Sequence, residues 1–193
     1  MWSHESTMRR LRYSVAVSMD GFIAGPRGEY DWIIMDPSFG FEGLFKQFDT
    51  FLMGRRTFEF TRKAGGATMG GTRTIVCSKT LRPSDYPKIT ITDDATNTVR
   101  ALKAKAGKDI WLFGGGSLFR SLLDAKLVDT IEVAVMPLAL SQGVPLLPAG
   151  DRSPPLRLVE SKVLPSGIVT LNYAIQYRGS AKKRKKAKKS PRR

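Results

Sequence analysis

The chain has 193 residues, 41% of them hydrophobic, a formal net charge of +15, and only one cysteine and one histidine. That length and apolar content suit one domain with a substantial core, and the lone Cys77 excludes a disulfide framework or a cysteine-based zinc site. With His4 ahead of the expected domain, His/Cys metal chemistry and a Ser-His-Asp triad in the core are excluded as well. Chemistry must then come from carboxylates, hydroxyls, Lys or Arg, or from a bound cofactor.

The opening residues MWSHESTMRR carry no apolar stretch of signal-peptide length, and no run approaches the roughly 20 residues of a membrane span. The expectation is a flexible segment over residues 1–10 of a cytoplasmic protein without membrane contact. RYSVAVS (residues 12–18) is a β-branched run ended by the turn signals Asp20-Gly21 and Gly25-Pro26. In FGFEGLFKQF (39–48), Phe41, Leu44, Phe45 and Phe48 stand at i, i+3, i+4 and i+7, which predicts a helix. DTFLMG predicts a short buried strand, and RRTFEFTRKAG a helix stopped at Gly65.

TRTIVCS (72–78) and KITIT (88–92) predict strands, with LRPSDYP as the loop between them. DDATNTVRALKAKAGK predicts a helix capped by Asp93 or Asp94, striped by Val99, Leu102 and Ala106 and ended by Gly107. Strand DIWLF follows, then three consecutive glycines and a helix with Leu118, Leu122 and Leu123 on one face. After that only strands are expected: DTIEVAVMPLAL, LRLVESKVL and IVTLNYAIQYR, with Pro165-Ser166-Gly167 as a hairpin turn. The pattern predicts an α/β fold over residues 11–178, with a mixed, mostly parallel sheet, flanking helices and a C-terminal antiparallel hairpin.

The last residues, SAKKRKKAKKSPRR, hold nine Lys/Arg and no acid, so without them the net charge falls from +15 to about +6. Such a segment (179–193) is expected to be disordered. It is either a solvated extension or a polyanion- or nucleic-acid-attracting tail.

Two strand-to-helix junctions suit a phosphate-bearing ligand. At Gly114-Gly115-Gly116-Ser117 the missing Cβ atoms let a pyrophosphate approach the backbone; the same run also serves as a tight turn. At Gly54-Arg55-Arg56-Thr57 the hydroxyl can cap a helix or bond a phosphate, and the arginines can grip another. GGGSLF departs from G-x-G-x-x-G/A because Phe119 replaces a small residue. GATMGGTR (66–73) lacks the P-loop lysine and precedes a strand.

YSVAVSMDGFIAGPRGEYDWI, FLMGRRTFE and DIWLFGGGSLFRSLLDAKLVDTIEVAVMPL together resemble the dihydrofolate reductase-like superfamily over residues 11–177. They are most similar to the branch containing the reductase domain of the riboflavin-biosynthesis deaminase/reductase. The resemblance implies a three-layer sandwich, NADPH as hydride donor, a small heterocyclic substrate and a homodimer. It implies that Ala16 and Ile23 line the nicotinamide, with Asp20-Gly21 shaping the first loop and Asp20 a candidate substrate contact. Gly54, Arg55, Arg56 and Thr57 would bind phosphates, Arg55 the 2′-phosphate; Ser78 and Lys79 would flank the adenosine. Gly114, Gly115, Gly116 and Ser117 would pass under the pyrophosphate, with Leu118 behind. Ser141-Gln142 stand where the branch carries glycines, and the deaminase signatures H-x-E and P-C-x-x-C are absent.

Asp36 falls where the superfamily places a substrate carboxylate, with Glu42 further on; Asp36-Pro37 is equally an N-cap followed by proline at N1. Trp32 either stacks on a heterocycle or packs in the core, while Glu29 and Asp31 read as loop carboxylates. The function expected is an NADPH-dependent reductase of a pyrimidine- or pteridine-like ring. The alternatives are a polyanion-associated protein with a reductase scaffold, or an NADPH-binding protein without turnover.

Overall fold

The computed structural model describes residues 8–66 and 71–177. The basic tail, His4 and residues 67–70 of the near-miss GATMGGTR motif lie outside the described residues. In chain order the elements are β1 (Leu11–Ser18), β2 (Phe22–Ala24), α1 (Phe41–Phe45), β3 (Phe48–Gly54), α2 (Arg55–Lys63), β4 (Arg73–Cys77) and β5 (Thr90–Thr92). They continue with α3 (Ala95–Lys103), β6 (Asp109–Gly114), α4 (Gly116–Asp124), β7 (Thr130–Met136), β8 (Val144–Pro145), β9 (Leu156–Val163) and β10 (Val169–Ile175).

Eight strands form one sheet in the order β5-β4-β3-β6-β1-β7-β10-β9. All pairs from β5 to β7 are parallel, and β10 pairs antiparallel with both β7 and β9. Alternation along β1 sorts the two faces. Leu11, Tyr13 and Val17 enter a core that also holds Val99 and Leu102 of α3 and Phe119, Leu122 and Leu123 of α4. Tyr13 stacks on Phe119 with ring centroids 3.9 Å apart. Each fully buried side chain of this size contributes roughly 1.5–3 kcal/mol. Packing therefore holds α4, which at nine residues would be marginal alone.

On the other face Phe48, Phe51, Phe58 and Trp111 form a second cluster, and Ala134, Met136, Leu164 and Ile168 a third. A wide cleft lies on this face, lined by Trp111 of the second cluster and by Ala134, Met136, Leu164 and Ile168 of the third. At the far edge all eight residues of β9 are exposed, including Leu158, Val159 and Val163.

The helix expected over residues 39–48 is broken into a 3-10 turn at Pro37–Phe39 and the five-residue α1. Gly40 adopts φ +75° between them, a left-handed conformation that stops the first turn. Phe48 belongs to β3 and is buried against Trp111 at 4.8 Å, so sheet packing overrode its helical spacing. The cap of α3 is Asp94, but the helix ends at Lys103, so Ala106 and Gly107 follow it. β2 and β8, which pair with each other, have no counterpart among the expected strands. Arg9 and Arg10, expected in a flexible segment, are anchored: Arg9 to Asp49, Thr50 and the Lys108 carbonyl, Arg10 to Asp109 at 2.7 Å.

Candidate functional site

Because β3 and β6 are parallel neighbours, their C-terminal ends lie side by side. Each leads into a glycine that N-caps the next helix, Gly54 at the end of β3 for α2 and Gly115 just after β6 for α4, neither with a side-chain cap hydrogen bond. Helix α3, whose start does not line the cleft, is capped normally, Asp94 accepting from the Asn97 amide at 2.9 Å. The first-turn amides of α2 and α4 have no intrahelical partners, and two positive dipole ends converge on one spot. Gly54, Arg55, Arg56, Thr57, Gly114, Gly115, Gly116, Ser117 and Leu118 all line a cleft of about 1910 Å³ at this place. Such convergence suits a pyrophosphate.

The three glycines differ in their reasons. Gly114 sits at φ +140°, where side chains are disfavoured, and a Cβ on Gly114 or Gly115 would stand 3.4 Å from Thr57 Oγ1. A Cβ on Gly116 would meet Pro148 Cγ at 2.7 Å. At Gly116 the chain itself makes a close approach, so this glycine has a packing reason besides its place on the cleft. Thr57 does not cap α2; it faces the glycine turn. Arg55 is half-exposed and lies 3.8 Å from Glu59.

Ala16 and Ile23 line the cleft as expected. Ser78 and Lys79 do not: the Ser78 hydroxyl accepts from the amides of Thr80 and Leu81, both at 3.1 Å, closing the turn after β4. Cys77 lines the cleft nearby, and burial pushes its thiol up to about 12, which keeps it neutral at physiological pH.

The carboxylates weighed for substrate are occupied elsewhere. Asp36 is buried, and its Oδ1 accepts from both the amide and the hydroxyl of Ser38 at 2.7 Å. Its Oδ2 accepts from the Ser166 amide at 3.3 Å. Ser166 first and then Ser38 hold the carboxyl down at about 2. Asp36 thus caps the 3-10 turn and ties it to the β9–β10 hairpin, and it does not line the cleft.

Asp20 accepts from the Ser18 hydroxyl at 2.6 Å and from the amides of Leu140 and Ser141 at 3.1 and 2.7 Å. These bonds, Ser18's foremost, lower its pKa and fasten the segment where Ser141-Gln142 replace glycines. Trp32 donates to the Glu29 carbonyl at 3.0 Å and packs with the Ala134–Ile168 cluster. Glu42 is exposed and pairs with Lys46 at 2.5 Å. None of Asp20, Trp32 or Glu42 lines the cleft.

Apart from Ala16, the cleft floor was missed by sequence reasoning. It is made by Arg12, Ser14 and Ala16 of β1, Trp111 and Phe113 of β6, Glu132 and Ala134 of β7, and Asn172 of β10. Arg12 grips Glu132 with both ends of its fork, Nε to Oε1 at 2.7 Å and Nη2 to Oε2 at 2.8 Å. Its Nη1 donates to Gln47 Oε1 at 2.6 Å and to Asp109 Oδ2 at 3.3 Å, and its plane lies over Phe48. Burial opposes the Arg12 charge, but Glu132 and Asp109 outweigh it and raise the pKa. The signal available was a charge at the inward-facing position of an apolar strand, in both RYSVAVS and TIEVAVM.

A mostly parallel sheet with two glycine-capped helix ends over one cleft defines a dihydrofolate reductase-like α/β domain. The chain belongs to the RibD C-terminal domain family, a reductase-like family that matches residues 9–170. It is 35% identical to the uncharacterized protein YyaP of Bacillus subtilis (strain 168) over 177 residues, covering 86% of this chain and 94% of that one. YwjB of the same organism, also uncharacterized, is 27% identical over 160 residues, 80% of this chain and 91% of its own.

Among solved structures, a riboflavin biosynthesis protein, by its description, from Shewanella sp. PV-4 superposes with a TM-score of 0.75 at 24% identity, covering 87% of this chain and 99% of its own. The Thermotoga maritima diaminohydroxyphosphoribosylaminopyrimidine deaminase/5-amino-6-(5-phosphoribosylamino)uracil reductase gives 0.66 at 16% identity, with 88% of this chain against 57% of that one. A pyrimidine reductase-like protein from Corynebacterium diphtheriae gives 0.62 at 15% identity, 88% of this chain and 92% of its own.

Proposed function

We propose that the protein is an NADPH-dependent reductase acting on a C=N or C=O of a pyrimidine- or pteridine-like heterocycle. The observation that carries this is the pair of helix N-termini, α2 and α4, that meet at Gly54 and Gly115 without side-chain caps. The free amides fit a pyrophosphate, and Arg55 and Arg56 supply forks for a further phosphate that would separate NADPH from NADH. Membership of a reductase-like family, and solved relatives named as uracil and pyrimidine reductases, support the reaction class.

A nicotinamide bound there would supply the hydride. The chain's own residues hold and orient. Ala16 and Ile23 offer small and apolar walls for a flat ring, and Trp111 and Phe113 exclude water from the floor beyond. Asp36, held ionised at about 2 and turned to Ser38 and Ser166, is not the proton source at neutral pH. Riboflavin-pathway 5-amino-6-(5-phosphoribosylamino)uracil reduction is the first substrate to try. The nine Lys/Arg of the tail support a separate, salt-sensitive contact with polyanions.

The test is titration with NADPH and NADH, followed by tryptophan fluorescence, to which Trp111 in the cleft contributes. Tighter NADPH binding that Arg55→Ala abolishes is the expected result. Binding of neither nucleotide would overturn the reading.

A further inference from the structure

The floor of the cleft carries a row of polar groups that the cofactor cradle does not use. Register places Ser14 beside Glu132 on β1 and β7, and Glu132 beside Asn172 on β7 and β10. Neighbouring strands lie about 4.8 Å apart, so the row spans roughly 10 Å, the width of a one- or two-ring heterocycle. Ala16 and Ala134 stand two residues further along the same strands, roughly 6.6 Å away. The row is therefore about one ring beyond the place proposed for the nicotinamide.

Its chemistry is directional. Glu132 has both oxygens on Arg12, with Oε1 also accepting from Thr130 Oγ1 at 2.8 Å, and each carboxylate oxygen accepts more than one hydrogen bond. The Ser14 hydroxyl makes no side-chain hydrogen bond among the described residues. Asn172 has only a long 3.4 Å contact to Glu160 Oε2. A buried ion pair is a poor stabiliser compared with apolar side chains of the same size, so its presence in an otherwise uncharged floor calls for a use. Arg12 is in turn locked by Gln47, Asp109 and Phe48.

Resting on the reductase reading, we infer that Ser14, Glu132 and Asn172 form the substrate-recognition floor, taking the edge of a flat heterocycle that bears adjacent N–H donors. Glu132 accepts from the ring's amino or amide N–H groups, Ser14 and Asn172 pair with the flanking heteroatoms, and Arg12 is a positioning residue that fixes the carboxylate. A carboxylate is the natural acceptor for an exocyclic amine on such a ring, as in the pairing of Glu or Asp with the amino group of cytosine.

The test uses the full chain and 2,4-diaminopyrimidine as probe, with 4,6-dimethylpyrimidine as the same ring without N–H donors. Binding is read by tryptophan fluorescence and calorimetry, with and without NADPH. The expected result is at least tenfold tighter binding of the diamino probe, and a loss of tenfold or more in Ser14→Ala and in Asn172→Ala, with NADPH affinity unchanged. The double variant Arg12→Met/Glu132→Leu, checked for folding by its melting curve, is expected to melt like the parent and to lose the probe.

No probe binding at millimolar concentration, equal binding of the two pyrimidines, or a double variant that folds and still binds the probe would each overturn the inference. Competition of NADPH with the probe would do so too, since it puts the probe in the cradle. If NADPH fails to bind while probe affinity follows the floor variants, the cofactor reading falls and the floor stands. NADPH binding with a probe indifferent to the variants gives the reverse.

Discussion

The two ends of the cleft are built from opposite materials. The cradle is backbone: two glycines, two helix starts and exposed arginines, with no buried charge. The floor is side chain: a buried ion pair joining residues 120 apart in sequence, set among aromatic rings. A backbone site needs glycines in a consecutive stretch, so it leaves a mark in the sequence. A side-chain site assembled across strands leaves only one unexpected residue in each.

Changes at the floor are expected to have the largest effect. Arg12→Ala leaves Glu132 buried with Thr130 as its remaining partner, and the chemical-denaturation midpoint should fall by the equivalent of about 3–5 kcal/mol. Arg12→Met/Glu132→Leu should return close to the parent, because both charges leave together. If the single variant is as stable as the parent, the pair is not what holds the floor.

Next come the glycines, which can be told apart. Gly116→Ala drives a methyl against Pro148 Cγ and should cost about 1–3 kcal/mol, partly recovered by Pro148→Ala. Gly115 has an extended backbone (φ −92°), so Gly115→Ala should melt like the parent yet weaken NADPH binding. Equal melting of both variants would erase the distinction between a packing glycine and a ligand glycine.

Arg55→Ala should narrow the NADPH over NADH preference by about ten- to hundredfold, the range of a charge-assisted hydrogen bond, with NADH binding little changed. The smallest effect is expected from Asp36→Asn. Folding lowers this carboxyl to about 2, so its stabilising contribution is whole above about pH 4 and fades as pH falls towards 2. The melting difference between Asp36→Asn and the parent should therefore close over that window; a constant gap would show that the ionised carboxylate is not what Ser38 and Ser166 hold.

Legibility followed the range of the forces. β3, β4, β6 and the helices after β3 and β6 were readable because apolar runs and glycine stops are local. The helix expected over residues 39–48 survives only as α1, because Gly40 breaks it and Phe48 finds better burial in the sheet. Asp36-Pro37 offered two readings of one dipeptide. Only the position of Ser166, at a hairpin turn 130 residues later, made it a cap. The resemblance puts Ser78 and Lys79, just after β4, on the site, but it is Cys77 that reaches the cleft.

The sequence by itself determined that this is an α/β domain with two glycine junctions able to receive phosphates, because backbone freedom and hydrophobic period are local properties. Tertiary structure alone decided that Gly116 answers to Pro148, that Asp36 is turned away from the cleft, and that Arg12 and Glu132 meet beneath it. Those outcomes depend on strand order and register, which bring together side chains that no window along the chain contains.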